Sequence, residues 1–393
     1  MSDSEEQQQT AAGLALGSVQ FFFTLGWTVY VIYLPELLKS AGLVASWLPV
    51  LLMADQLIFA AMDIAFGVVA DRLTEGYRKL ARLLLLLTTV SAAAFLLLPM
   101  LGGVAPAWLI SVLLIWVFSA SVVRAPTLVL LAKRAKAAQQ SRLVSWYVAG
   151  MALASALSPF VGMLLKGVDS RLPFAISALT LLAAVVVLRH FVDRPAPAAE
   201  VPEPQPIAFI AYLPLLLILA LASVGFQLHA FLNAAPHYLA YTTKESLPWL
   251  LPLLWVGFFL ALPGVGVIIK RFGALAVAAG GILLTAGCSY ASALAGSLEM
   301  LIVIELLAGA GWAAAFAGLM EQASAWGTRG AEGLFMGSFF SVLAVASFAR
   351  IGFVSQLLPH HPALQSMQFL LPGACLLLAG LIAMVYMFKR TAG

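Results

Sequence analysis

Charged side chains stand inside long apolar stretches of this 393-residue chain, among them Asp55, Asp63, Arg124, Glu305 and Arg350. Beside them, the segment from Gly225 to Pro236 gathers Gln227, His229 and Asn233 among apolar neighbours. A charge at the centre of a bilayer costs about 2.5–3.5 kcal/mol, so such residues pair with one another or line water. A membrane carboxyl can also gain and lose a proton, with burial and neighbouring charge tuning the exchange. Asp55, Asp63 and Glu305 are therefore candidate proton carriers, and the whole group is a candidate for binding substrate or a coupling ion. Asp55 and Asp63 sit at different depths of one helix, which rules them out as a hydrolytic pair. His229 and Asn233 are four residues apart and are expected to share a helix face.

These residues need elements to place them, and composition says which. The chain is 63% hydrophobic and 10% charged, with mean hydropathy +1.02. A soluble domain carries about 25% charged residues. That excludes a soluble enzyme, a nucleic-acid binder or a disordered scaffold as the main body. A helix needs about 20 apolar residues to cross the hydrocarbon core, and nothing alternates as barrel strands would. Apolar runs fall at about residues 12–34, 47–70, 80–101, 106–131, 143–166 and 172–192, then at about 207–235, 247–269, 274–295, 299–326, 331–357 and 366–388. Residues 193–206 carry five prolines and three acids and read as an extended linker. The expected architecture is an all-α membrane protein, with twelve transmembrane helices in two pseudo-symmetric six-helix bundles. It comprises a tail (1–11), one half (12–192), the linker (193–206), a second half (207–388) and a tail (389–393).

Charge placement sets orientation. With both termini in the cytoplasm, fifteen of the 21 Lys and Arg residues fall on the cytoplasmic side. Lys39, Lys166, Arg171 and Lys244 fall opposite, and Arg124 and Arg350 lie within spans. This positive-inside bias points to a cytoplasmic, or inner, cell membrane. Met1 to Thr10 is polar and acidic without a cationic start, so the first run is expected to be a retained span rather than a cleaved signal peptide. Counting depth along the spans, Asp63, Arg124 and Glu321 form an inner layer, while Asp55, Glu305, Arg350 and His229 form an outer one. Asp63 is expected to pair with Arg124, and Arg350 with Asp55 or Glu305.

An internal repeat supports two halves. Gly67-Val-Val-Ala-Asp71-Arg72 follows the second run, and Gly266-Val-Ile-Ile-Lys270-Arg271-Phe-Gly273 follows the eighth, about half the chain later. At these residues the chain resembles the major facilitator superfamily. Its signature after the second span is a glycine, three residues, Asp-Arg, a residue, glycine and basic residues. Gly67, Asp71 and Arg72 match, with Gly76, Arg78 and Lys79 following after Thr74 and Glu75 delay the glycine; in the second copy Lys270 replaces the acid. The resemblance implies a cytoplasmic gate at Gly67, Asp71, Arg72, Arg78, Lys270 and Arg271. There the glycine permits close helix approach, and the acid can cap a helix N-terminus. Asp63, four residues before Gly67, also fits one of the paired acids of sodium–sugar cotransporters, but the first acid's position holds Phe59. Gly150, Pro159 and Gly162 hint at an exporter signature whose Gly-Pro pair is here Ser158-Pro159.

Trp27 and Tyr30 on the first span, and Trp312 with Phe316 on the tenth, are candidate cavity aromatics. No nucleotide loop, metal cluster or nucleophile triad is present in the sequence, so neither an enzyme nor a cofactor is expected. Cys288 and Cys375 suggest no disulfide. The reading is a monomeric secondary active transporter that moves a small organic solute by alternating access, with a proton or another ion as coupling partner. Alternatives are proton-driven efflux of amphipathic compounds, sodium–sugar symport, and a non-transporting assembly or pigment-delivery factor on the same fold.

Overall fold

The computed structural model describes residues 3–72, 77–124, 127, 137–192, 209–327 and 331–391. Regular structure among the described residues is helical, without a strand. Among them, twelve helices are long and apolar enough to cross a membrane. They are α1 (Thr10–Ser40), α2 (Trp47–Arg72), α3 (Lys79–Met100), α4 (Pro106–Val123), α5 (Arg142–Leu164), α6 (Arg171–Phe191), α7 (Leu213–Leu239), α8 (Lys244–Phe272), α9 (Ala274–Ala293), α10 (Leu298–Gly327), α11 (Glu332–His360) and α12 (Leu371–Lys389). Large apolar side chains are exposed along them, Leu164 at 76% and Leu260 at 69%, as suits helices of this length and composition in lipid. The chain is a multi-pass membrane protein.

Packing repeats between the two sets of six. α6 lies along α1 and α3, and α12 lies along α7 and α9. The last helix of each set thus supports the first and third, as a parallel repeat requires. By contact the chain divides into two compact units. One comprises Met1–Ala154, Val161–Gln205 and Gly327–Ser341; the other comprises Ser155–Phe160, Pro206–Trp326 and Val342–Gly393. The first turns of α11 therefore pack in the same unit as α2 and α4.

Several helix ends depart from the apolar runs, each for a local reason. The helix containing α1 begins at Asp3, inside the segment read as a tail, and continues through Pro35 to Ser40. Within the run at 106–131 the helix tightens over Ser121–Val123 and Arg124 leaves helical geometry (φ −82°, ψ −97°) two residues before Pro126. Proline has no N–H and clashes with the carbonyl four residues earlier. Within α7, residues His229–Asn233 open into a π turn ahead of Pro236, and within α11 Phe353–Leu357 do so ahead of Pro359. In both cases the carbonyl that proline would strike, on Leu232 or Ser355, lies in the widened turn. Gly273 joins α8 to α9 at φ +86°, a conformation that favours glycine. Residues 193–206, read as the linker, lie outside the described residues.

Candidate functional site

In the first unit, the α2–α11 contact is built from small residues and one acid. Asp63, Gly67 and Asp71 recur every four residues on α2 and so share a face. Gly333 and Gly337 do the same on α11. A Cβ on Gly67 would strike the Gly333 carbonyl, one on Gly333 the Gly67 carbonyl, and one on Gly337 the Asp63 carbonyl. Backbone therefore lies against backbone over this seam. At its end, Asp71 Oδ1 accepts from the Gly333 N–H at 2.7 Å and Oδ2 from the Leu334 N–H at 2.8 Å. These donors belong to the first turn of α11, where backbone N–H groups lack helical partners and the helix dipole favours a negative charge.

Arg124 lies deeper on the same seam. Nη2 stands 3.3 Å from Asp63 Oδ2 and donates to the Phe340 carbonyl of α11 at 3.3 Å. Its guanidinium also lies over the rings of Phe59 and Phe340, at 4.8 and 5.5 Å. The expected Asp63–Arg124 pair is present. It is an ion pair at contact distance, and among the described residues neither oxygen of the fully buried Asp63 receives an aligned hydrogen bond.

Asp55 has a different setting. It is fully buried, and Oδ2 accepts from the Tyr30 hydroxyl at 2.7 Å, while Oδ1 has no donor among the described residues. Rings surround the pair: Trp27 stacks on Trp116 at 5.8 Å, Tyr30 meets Trp116 at 4.6 Å, and Trp27 meets Phe59 at 5.3 Å. Trp27 and Tyr30 thus belong to one aromatic cluster around a buried carboxyl.

The second unit holds another buried pair. His229 Nε2 lies 3.3 Å from Glu305 Oε2, with the two side chains 0% and 1% exposed. Ser292 on α9 donates to Glu305 Oε1 at 3.2 Å. His229 Nδ1 has no partner among the described residues. Glu305 therefore takes His229, and the expected pairing of Arg350 with Glu305 is not formed. Asn233, at the other end of the π turn that starts at His229, donates from Nδ2 to the Gln368 carbonyl at 2.9 Å.

Arg350 is bound by an amide instead. Its Nε donates to Gln227 Oε1 at 2.9 Å, and Gln227 Nε2 donates to Ser347 Oγ at 2.6 Å. Phe231, one turn beyond Gln227 on α7, lies 5.2 Å from the guanidinium. Trp312, expected to line a cavity, is buried in a parallel stack on Phe226 at 4.2 Å and serves packing within its unit.

The two copies of the charged motif differ in structure. Gly266 faces open space where Gly67 meets Gly333, and Lys270 and Arg271 are exposed, Arg271 lying over Phe272. Arg72 is exposed, and the Arg78 side chain lies outside the described residues. Gly150 packs on the Gly17 carbonyl, which accounts for that glycine by close helix contact alone. Sequence reasoning passed over Gly333, Gly337, Phe340, Ser292 and Ser347. The four-residue spacing of Gly333 and Gly337 was a visible signal for the first two. Among the described residues no cluster of metal-ligating side chains occurs.

Twelve membrane-crossing helices in two matched sets, with ionisable groups sealed inside both, define a polytopic carrier of the repeat type. The chain belongs to the Major Facilitator Superfamily, whose sequence profile matches residues 16–246. Solved structures show the same fold. FucP, a transporter of this superfamily in the outward conformation, aligns with a TM-score of 0.72 at 14% identity, over 96% of this chain and 99% of that one. A point variant of the E. coli fucose:proton symporter FucP gives 0.69 at 15% identity, over 95% and 98%. The human organic anion transporter MFSD10 (TETRAN) gives 0.70 at 14% identity, over 97% and 99%. No curated protein sequence matches the chain. Family and fold support secondary transport.

Proposed function

We propose that the chain is a proton-coupled secondary transporter that moves a small organic solute across the cytoplasmic membrane by alternating access, with Asp55 carrying the coupling proton. One observation carries this reading. Asp55 is fully buried in α2, and its partner is a hydroxyl, whereas Asp63 has Arg124 and Glu305 has His229. Loading a proton on Asp55 removes its charge, and releasing it leaves an anion solvated by Tyr30. The two states differ by a full charge where a charge costs about 2.5–3.5 kcal/mol. A difference of that size biases a two-state equilibrium roughly a hundredfold. A structural relative, FucP, is named as a fucose:proton symporter, which agrees with the coupling ion proposed here.

The α2–α11 seam supplies the moving contact. The Asp71 cap and the Gly67–Gly333 approach hold the start of α11 against the end of α2. In the proposed cycle this contact forms in one access state and parts in the other, and the Lys and Arg distribution supports a cytoplasmic position for it.

Reconstituted vesicles test the reading. A broad solute panel is first screened for ligands that raise the melting temperature of the purified protein, since a ligand of the native state stabilises it. The stabilising solute is then expected to accumulate under an imposed proton gradient, and a protonophore or Asp55→Asn to abolish accumulation. Accumulation unaffected by either would remove Asp55 and the proton from the mechanism.

A further inference from the structure

The embedded charges of the second unit do not balance around Arg350. His229 and Glu305 face each other, and the neighbours of Arg350 are Gln227, Ser347 and Phe231. Gln227 and Phe231 are four residues apart on α7, and Ser347 and Arg350 are three apart on α11, so each pair presents one face. Ser347 fixes the Gln227 amide with its oxygen toward Arg350, and that oxygen holds Nε. Phe231 covers the guanidinium plane at 5.2 Å. This arrangement orients a half-buried cation without neutralising it. Among the described residues of the unit, Nη1 and Nη2 engage no acceptor.

We propose that Arg350 is an anion-recognition residue, whose paired terminal nitrogens take the carboxylate of a monoanionic organic solute. The planar guanidinium fork matches the two oxygens of a carboxylate, each receiving one N–H. Charge favours a monoanion over a phosphate ester, because a single negative charge cancels Arg350 while a dianion leaves an excess in the membrane interior. Gln227 is a positioning residue. This inference names the substrate class of the transporter proposed above and rests on that reading for the physiological role of the site, but binding can be measured without transport.

The experiment uses the purified full chain and follows its melting temperature with lactate, benzoate and hexanoate, with their primary amides, and with inorganic phosphate. At least one carboxylate is expected to stabilise the protein while its amide does not. Arg350→Gln is expected to weaken that carboxylate by roughly tenfold to a hundredfold, the worth of one charge-assisted hydrogen bond or more. Arg350→Lys keeps the charge but not the fork and is expected to fall between. Gln227→Glu guards against misfolding. It places a counter-charge on Nε, and it should raise the melting temperature without ligand while abolishing the carboxylate response. Equal stabilisation by acid and amide, stabilisation by phosphate alone, silence of all three carboxylates, or a response surviving in Gln227→Glu would each overturn the proposal. Carboxylate binding without proton-driven accumulation leaves the anion site standing and removes the coupling. Proton-driven accumulation of neutral solutes alone does the reverse.

Discussion

Asp71→Asn tests whether a side chain holds α11 against α2. The carboxylate accepts two backbone N–H groups, from Gly333 at 2.7 Å and Leu334 at 2.8 Å. Asparagine keeps the shape but has one acceptor oxygen, and it turns an NH2 toward the other amide. One charge-assisted hydrogen bond is lost, worth about 1.5–3 kcal/mol. The helix-dipole attraction to the charge, about 0.3–1 kcal/mol, is lost too. Asp71 is only partly buried, so solvent screening keeps the sum toward the lower end, about 2 kcal/mol. That corresponds to a roughly thirtyfold rise in the population with the contact parted. The amides of Gly333 and Leu334 report it directly, because their exchange with deuterated solvent requires Asp71 to let go. Exchange of the peptide covering Glu332–Ser338 is expected to accelerate by roughly thirtyfold in Asp71→Asn. Asp71→Glu, which keeps both acceptors, should change it far less. An unchanged rate in a variant that melts at the wild-type temperature would refute the reasoning.

Three further outcomes follow from the same contacts. Gly337→Leu places a branched side chain where the Asp63 carbonyl now lies, and should part the seam and speed the same exchange at least as much as Asp71→Asn. Tyr30→Phe strips Asp55 of its hydroxyl partner; a destabilisation of about 1–3 kcal/mol is expected by denaturation, together with slower proton-driven accumulation in vesicles. Glu305→Ala removes the carboxylate that faces His229, while Ser292 keeps the Cys288 carbonyl, and should cost about 3–5 kcal/mol. Glu305→Gln retains an acceptor for Ser292 and should melt between Glu305→Ala and the wild type.

The helices were legible because a bilayer imposes length. The runs read at 47–70, 274–295 and 299–326 correspond to Trp47–Arg72, Ala274–Ala293 and Leu298–Gly327. Hydropathy failed where backbone chemistry overrode it. Arg124 leaves helical geometry inside an apolar run, and α1 runs on through Pro35, Glu36 and Lys39. The Asp63–Arg124 pair was legible because opposite charges at equal depth must meet. The Asp55–Tyr30 and Arg350–Gln227 contacts were not, since hydroxyls and amides are too common in sequence to single out as partners. Charge alone offered Asp55 or Glu305 as the partner of Arg350. The π turn that starts at His229 is likewise invisible to a count of residues at helical spacing.

That π turn also bears on chain length. A π turn is an α-helix carrying one surplus residue, so His229–Asn233 marks a place where α7 tolerates a change of register. Removing a single residue there should leave a regular α-helix whose far end, from Ala234 to Leu239, keeps its face, because the wider turn already absorbs the surplus residue. Elsewhere in α7 the same deletion would misalign the whole face against α12. The helix therefore carries its own length adjuster, and indels among close homologues of this chain are expected to collect at the π turns before Pro236 and Pro359.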